Sequence, residues 1–149
     1  MNVRTITATG GKWTGKLEVR EIQPEDVEAV RRLLSENDWT DERVSDEKMF
    51  RALLANSQRA LVAVHDGAVV GFARAICDEL SNGYLSMLVV AEAHRGKGFG
   101  RALLNAVMDD NPLVSWVLRA GRPGVAAFYE KLGFVRSTVA MERPRGKLT

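Results

Sequence analysis

The sequence predicts an α/β domain with a mixed β-sheet, and three observations support this fold class. Residues Tyr84 to Val90 form a nearly unbroken apolar run, which is typical of a strand buried on both faces. A helical pattern at Arg101 to Met108 separates this run from a second one, Leu113 to Leu118, and two strands joined by a crossover helix are parallel. The dipeptide Asp66-Gly67 lies between two further strand-like segments and predicts an antiparallel hairpin.

Size and composition are those of one globular domain. The chain has 149 residues, of which 46% are hydrophobic and 27% charged, and its net charge is +2. That charge is too small to favour a nucleic-acid or membrane partner, and no apolar stretch approaches the about 20 residues of a membrane span. With a single cysteine, Cys77, and two histidines, we expect a cytoplasmic protein without a disulfide or a metal site.

The remaining elements follow from periodicity and capping signals. Residues 1–16 are expected to be an N-terminal arm or an added edge strand, and residues 17–149 a single domain. Pro24 is placed to begin one helix and Ser45 to cap the next. The pattern also predicts a short helix and a final strand pair near the C-terminus, at Gly124 to Leu132, Phe134 to Arg136 and Thr138 to Met141.

A glycine-rich segment connects the central strand to the helix that follows it. Three glycines lie between His94 and Arg101, where they allow tight turns and close approach of a ligand to the backbone. The helix N-terminus and the cations Arg95, Lys97 and Arg101 favour an anion at this point. We interpret the segment as a pyrophosphate cradle; the alternative is a tight turn with solvated basic residues.

Two motifs carry a resemblance to a known family. Arg95-Gly96-Lys97-Gly98-Phe99-Gly100 matches the pattern Arg/Gln-x-x-Gly-x-Gly/Ala, and Phe128-Tyr129-Glu130-Lys131-Leu132-Gly133-Phe134 matches a second motif at the usual distance. Together they resemble the GNAT superfamily of acetyl-CoA-dependent N-acetyltransferases, in particular small stand-alone bacterial members. The resemblance implies a mixed, mostly antiparallel sheet with a central, splayed parallel strand pair and helices on both faces.

The resemblance also implies roles for individual residues. The pantetheine arm of acetyl-CoA should pair with the backbone of Leu88, Val89 and Val90. Tyr129 matches the tyrosine that usually protonates the leaving thiolate. Arg122 stands where many members have an asparagine that contacts the cofactor, so this contact stays open. The pyrophosphate should be bound by the loop and the start of the helix, at Arg95, Gly96, Lys97, Gly98, Phe99, Gly100 and Arg101.

The expected function is acetyl transfer from acetyl-CoA to a primary amine of a small molecule, by direct attack in a ternary complex and without a metal. Asp78 and Glu79 are candidates for the general base, or they belong to a solvated loop. Trp39 is a candidate wall of the acceptor pocket, or it packs between helix ends. His65 and His94 are expected to face solvent.

Two alternatives to this function stay open at the sequence level. One is acetylation of a protein N-terminus or lysine, and the other is a non-catalytic acyl-CoA-binding regulatory module. A small-molecule amine is the expected partner, and a homodimer is left open.

Overall fold

The described strands form one six-stranded mixed sheet. The computed structural model describes residues 4–8 and 11–146, and its strands lie in the order β1-β2-β3-β4-β5-β6. Neighbours are antiparallel from β1 to β5, and β6 is parallel to β5, which confirms the predicted fold class. The strands are β1 (Arg4–Ala8), β2 (Gly15–Glu21), β3 (Arg59–His65), β4 (Ala68–Cys77), β5 (Asn82–Val90) and β6 (Ser115–Leu118).

Helices cover both faces of this sheet. On one face, Leu34 and Phe50 pack in a single buried cluster with Phe72 of β4. On the other face, Leu103 lies so close to Gly71 that a Cβ there would meet its Cδ1 at 2.7 Å. Adjacent residues of a strand point to opposite faces, so these two contacts define the two layers. The helices are α1 (Val27–Glu36), α2 (Glu42–Ser45), α3 (Glu47–Ala55), α4 (Phe99–Met108) and α5 (Val125–Lys131).

Local sequence signals explain most of the element boundaries. Asp66 and Gly67 both have positive φ, 50° and 80°, as a two-residue hairpin turn between β3 and β4 requires. The predicted cap at Ser45 is wrong by one residue. Asp46 caps α3, because its Oδ1 accepts a hydrogen bond from the backbone N–H of Met49 at 2.9 Å.

The first residues of the chain form an additional edge strand where they are described. Strand β1 pairs antiparallel with β2, and Ile6 lies opposite Leu17. The described part of residues 1–16 therefore extends the sheet beyond β2. The division into a segment 1–16 and a single domain from residue 17 stays a prediction.

The described chain divides into two compact units, Met1–Arg119 and Ala120–Thr149. The first contains the whole sheet and α1 to α4, and the second contains α5. The predicted strand pair at 134–136 and 138–141 is wrong, because the described residues from 132 to 146 contain no strand. Val135, Val139 and Met141 are strongly exposed there, and two short strands that bury no apolar face are at most marginally stable.

Candidate functional site

Strand β5 contains a β-bulge at Ser86. Arg74 of β4 pairs with Met87, and the next pair along the ladder is Ala75 with Leu85. Ser86 is therefore an extra residue on β5, without a partner of its own on β4. A bulge bends its strand and increases the local twist, so β5 changes direction at this residue.

Beyond the bulge, β5 has an edge without a strand partner among the described residues. The parallel ladder joins Asn82–Leu85 to Ser115–Leu118, whereas β5 continues to Val90 and pairs there with β4 alone. The predicted contacts Leu88, Val89 and Val90 all lie in this stretch. Backbone groups along such an edge can bind an extended ligand in the manner of an added strand.

The glycine loop follows β5 directly and leads into α4. Gly96 and Gly98 have φ of 76° and 85°, and no atom lies within 4 Å of the position that a Cβ would take at either residue. Ala102 donates the first α-helical hydrogen bond, to the carbonyl oxygen of Gly98 at 3.1 Å. The earlier N–H groups, those of Phe99, Gly100 and Arg101, have no acceptor within the helix, so the backbone fits a bound pyrophosphate.

An aromatic cluster beneath the loop anchors the start of α4. The buried ring of Phe99 contacts Trp13, His65 and His94 with centroid distances of 5.0 to 5.9 Å. Nε2 of His65 donates to the carbonyl oxygen of Thr14 at 2.8 Å. The expectation that His65 faces solvent is therefore wrong, and His94 is half-buried. On β3, His65 follows the buried Leu61 and Ala63 at a spacing of two, and this alternation could have revealed its burial.

The cations of the loop have distinct environments. Arg95 donates from Nε to the carbonyl oxygen of Val90, and Nζ of Lys97 donates to Nδ1 of His94 at 3.3 Å. Partial burial and the charge of Lys97 lower the pKa of His94. The imidazole is consequently neutral at neutral pH, which leaves its Nδ1 free to accept from the ammonium. Arg101 is exposed on the first turn of α4.

The carboxylate of Asp78 is used within its own loop. Its Oδ2 accepts from the hydroxyl of Ser81 at 2.6 Å, and its Oδ1 accepts from the backbone N–H groups of Leu80, Ser81 and Asn82. These hydrogen bonds, that of the Ser81 hydroxyl foremost, hold the pKa of Asp78 well below its usual range. Such a carboxylate is a poor proton acceptor, which argues against the predicted role as general base.

Glu79 is engaged in an ion pair. Its Oε2 lies 2.6 Å from Nη2 of the buried Arg59, and Asp109 lies 3.1 Å from the same nitrogen. Glu79 lies just after the end of β4 at Cys77, where its backbone has a φ of 68°. The ion pair with the buried Arg59 indicates a structural role for Glu79.

Trp39 follows α1, and Tyr129 belongs to the second unit. The backbone N–H of Trp39 donates to the carbonyl oxygen of Leu34 at 3.0 Å, and the half-buried indole packs against the core cluster. In α5, Tyr129 is the buried aromatic residue and Phe128 is 36% exposed. Tyr129 contacts the rings of Phe128 and Phe134, and burial raises its pKa to about 12.

The described residues show neither a metal-binding cluster nor a membrane-spanning helix. They contain no group of three or more His, Cys, Asp or Glu side chains arranged to hold a metal ion. Within the same residues, every helix is too short or too polar to cross a bilayer.

Sequence analysis assigned no role to Arg74. This arginine is buried in β4 and donates hydrogen bonds to Ser57 and Ser86. The signal in the sequence is a charged residue inside an otherwise apolar strand, Ala68–Cys77, where only a packed or paired arginine is tolerated.

Comparisons with known proteins agree with this architecture. Residues 56–136 match the model of a family described as the acetyltransferase (GNAT) domain. The curated mycothiol acetyltransferase of Geodermatophilus obscurus is 33% identical over 94 residues. That match covers 61% of this chain and 30% of the relative, so the chain corresponds to under a third of that protein.

Solved structures show the same fold. Ard1 from Thermoplasma volcanium has a TM-score of 0.67 at 24% identity, covering 82% of this chain and 84% of its own. A ribosomal-protein-alanine N-acetyltransferase from Brucella melitensis biovar Abortus 2308 has a TM-score of 0.67 at 19% identity, with coverages of 87% and 99%. At these identities the likeness concerns the fold alone.

Proposed function

Because the chain belongs to the GNAT acetyltransferase family, we propose that it transfers the acetyl group of acetyl-CoA to a primary amine of a small molecule. The observation that carries this proposal is the direct succession of two features. A strand edge that can pair with an extended arm ends in a loop whose backbone N–H groups suit a pyrophosphate. Acetyl-CoA has an extended arm and a pyrophosphate in that order.

The donor-binding residues follow from this succession. Leu88, Val89 and Val90 would hold the pantetheine arm through backbone groups, since Val89 directs its side chain into the core. The amides from Gly96 to Arg101 would hold the pyrophosphate, and the positive charges of Lys97 and Arg101 would add to the attraction. The resemblance supports the same residues.

The reaction is a direct displacement. The amine nitrogen attacks the thioester carbonyl carbon, the carbon–sulfur bond breaks, the amine loses one proton and the thiolate gains one. A backbone N–H near the bulge of β5 can stabilise the oxyanion that forms on the carbonyl oxygen. Such a donor can point at the oxyanion because the bulge leaves part of β5 without a ladder partner on β4.

The amine must be neutral before it attacks. An amine with a pKa of about 10.4 is neutral in about one molecule in a thousand at pH ~7. The carboxylates of Asp78 and Glu79 are occupied by Ser81 and Arg59, so we assign this deprotonation to solvent. The rate at subsaturating amine should then rise with pH.

Two further side chains complete the proposal. Tyr129 would protonate the departing thiolate, since a phenol with a raised pKa keeps its proton at neutral pH. Trp39 would form part of the acceptor pocket with the face of its indole that is not packed against the core. It lies in the polar segment between α1 and α2.

The test is CoA release from acetyl-CoA with a panel of small amines and peptides. Release with small amines supports the proposal. Release with peptides alone would make a protein the acceptor and overturn the small-molecule assignment. Tight binding of acetyl-CoA without release for any amine would indicate a non-catalytic binding module. Calorimetry with and without a chelator checks that acetyl-CoA binding needs no metal.

A further inference from the structure

Arg74 is a buried cation without a described carboxylate partner. Only 6% of the residue is exposed, and its guanidinium donates hydrogen bonds to two serine hydroxyls. Burial lowers the pKa of its guanidinium, whereas the hydrogen bond to Glu79 raises the pKa of the ion-paired Arg59. Neutral hydroxyls satisfy hydrogen bonds but do not compensate a buried charge, so the position is costly for folding alone.

The two hydroxyls fix the orientation of the guanidinium. Ser57 donates its own proton to the carbonyl oxygen of Leu53 at 2.6 Å, so its lone pairs are left for Nε of Arg74, also at 2.6 Å. Nη1 donates to the hydroxyl of Ser86 at 2.7 Å. The guanidinium is thus held through Nε by Ser57 and through Nη1 by Ser86 of the bulge.

The outer nitrogen, Nη2, is available to a ligand. It makes no hydrogen bond with a described residue. Among the described residues, no fully buried side-chain nitrogen or oxygen lacks a hydrogen-bond partner, so Nη2 is not fully buried. A fixed guanidinium with an open donor edge is suited to a planar carboxylate, which it binds with charge-assisted hydrogen bonds.

The surroundings point to the acceptor side of the proposed site. Arg74 pairs with Met87, beside the bulge at Ser86 where the free edge of β5 begins. The neighbouring cross-strand pairs on the same face are Ile76 with Tyr84 and Tyr84 with Val117. Ile76 and Val117 are 44% and 47% exposed, so an apolar surface lies next to the guanidinium.

From this arrangement we infer that Arg74 binds the carboxylate of the acceptor, and that the acceptor is an α-amino acid with an apolar side chain. The inference rests on the proposed acetyl transfer, since it places the carboxylate a few bonds from the attacking amine. Arg74 is then a specificity-determining residue. It selects the acceptor and does not take part in the exchange of protons.

The test compares apolar amino acids with their carboxamides, which differ only in the carboxylate. The wild type should prefer leucine or phenylalanine over the matching amide when kcat/KM is referred to the neutral amine. Arg74→Gln should reduce that preference about 10- to 100-fold, as expected for loss of a hydrogen bond between charged groups. The ammonium groups of the amides are more acidic than those of the acids. This difference is the same for every variant, so it cancels when the preferences of two variants are compared.

Matched variants separate charge, geometry and position. Arg32→Gln removes the same group from an exposed site on α1 and should leave the preference unchanged. Arg74→Lys keeps the charge but loses the planar guanidinium that binds a carboxylate with two hydrogen bonds. It should therefore retain only part of the preference for the acid. A preference in Arg74→Gln equal to that of the wild type overturns the inference. Equal use of acid and amide by the wild type, with each kcat/KM referred to the neutral amine, also overturns it without any variant.

A binding measurement separates this inference from the proposed function. Thermal unfolding is followed with CoA present, with and without each amino acid. Stabilisation that depends on Arg74, with no amine acetylated, would keep the carboxylate site and reject acetyl transfer. Acetylation of acids and amides alike would keep acetyl transfer and reject the carboxylate site. If neither stabilisation nor acetylation is observed, both the carboxylate site and acetyl transfer are rejected.

Discussion

Arg95 donates from Nε to the carbonyl oxygen of Val90 at 3.2 Å, so the first residue of the glycine-loop motif is bonded to the last residue of β5. Its Nη2 also donates to the side-chain oxygen of Asn37, which follows α1. One side chain therefore connects the proposed arm-binding strand, the proposed pyrophosphate loop and the segment that leads to Trp39. This connection fixes the proposed donor-binding elements relative to the segment that leads to Trp39.

The loop should tolerate a Cβ at Gly98 poorly. Gly98 has a φ of 85°, which costs an L-residue about 1–2 kcal/mol, and the space above it is where a pyrophosphate would approach the amides. Gly98→Ala should therefore lower stability by that amount and also weaken acetyl-CoA binding at least tenfold. Calorimetry and urea unfolding measure the two effects.

Gly67→Ala is the matched control, since Gly67 has a φ of 80° and equally open space but lies in the β3–β4 hairpin. It should lose similar stability and keep full affinity for acetyl-CoA. Equal affinity in both variants would mean that the glycine loop is only a tight turn.

Glu79 should contribute to stability and not to proton transfer. Glu79→Gln removes one partner of the buried Arg59, while Asp109 remains, so a loss of about 1 kcal/mol is expected. The pH profile of kcat/KM should be unchanged. Glu47→Gln, which breaks the exposed pair with Arg51, should cost clearly less. Loss of the ionisation in the pH profile with Glu79→Gln would restore this residue as the base.

His94 should make the protein less stable under mildly acidic conditions. Its pKa is lowered by burial first and by the charge of Lys97 second, so the folded state disfavours the protonated form. The unfolded chain binds the extra proton from about pH 6.5 downward. The free energy of unfolding should therefore fall as the pH drops from 6.5 to the folded pKa, and level off below it.

Urea unfolding at intervals between about pH 5 and pH 8 measures this dependence. The difference in stability between wild type and His94→Gln should shrink toward acidic pH. Lys97→Met, in a protein that keeps His94, should make the free energy of unfolding depend less on pH, since the nearby charge is gone. A difference that is constant across the range would show that His94 does not titrate with folding.

The sequence predicted those features that depend on short-range patterns. The apolar run Tyr84 to Val90, the crossover to β6 and the Asp66-Gly67 turn each have a local cause, and the structure confirms them. The bulge at Ser86 has no such signal, because it is fixed by the register between β4 and β5. The partners of Asp78, Glu79 and Arg74 depend on side-chain geometry within loops and between strands, which periodicity does not encode.

The last prediction concerns the hydroxyl of Tyr129. Its ring lies 5.1 Å from that of Phe128 and 5.5 Å from that of Phe134, so aromatic packing holds it in place without the oxygen. Tyr129→Phe should keep the fold and the affinity for acetyl-CoA. It should lower kcat about 10²-fold, because the thiolate then leaves without an acid. Burial raises the pKa of the phenol to about 12, so the wild type should retain this advantage throughout the neutral and mildly alkaline range.

Phe134→Leu provides the control, since it loosens the packing around Tyr129 and keeps the hydroxyl. It should cost about 1 kcal/mol of stability with kcat nearly unchanged. Single-turnover rates distinguish a lost acid from slow product release, which would hide the chemical step in kcat. If the single-turnover rate of Tyr129→Phe equals that of the wild type, the thiolate takes its proton from water and Tyr129 is a packing residue of the second unit.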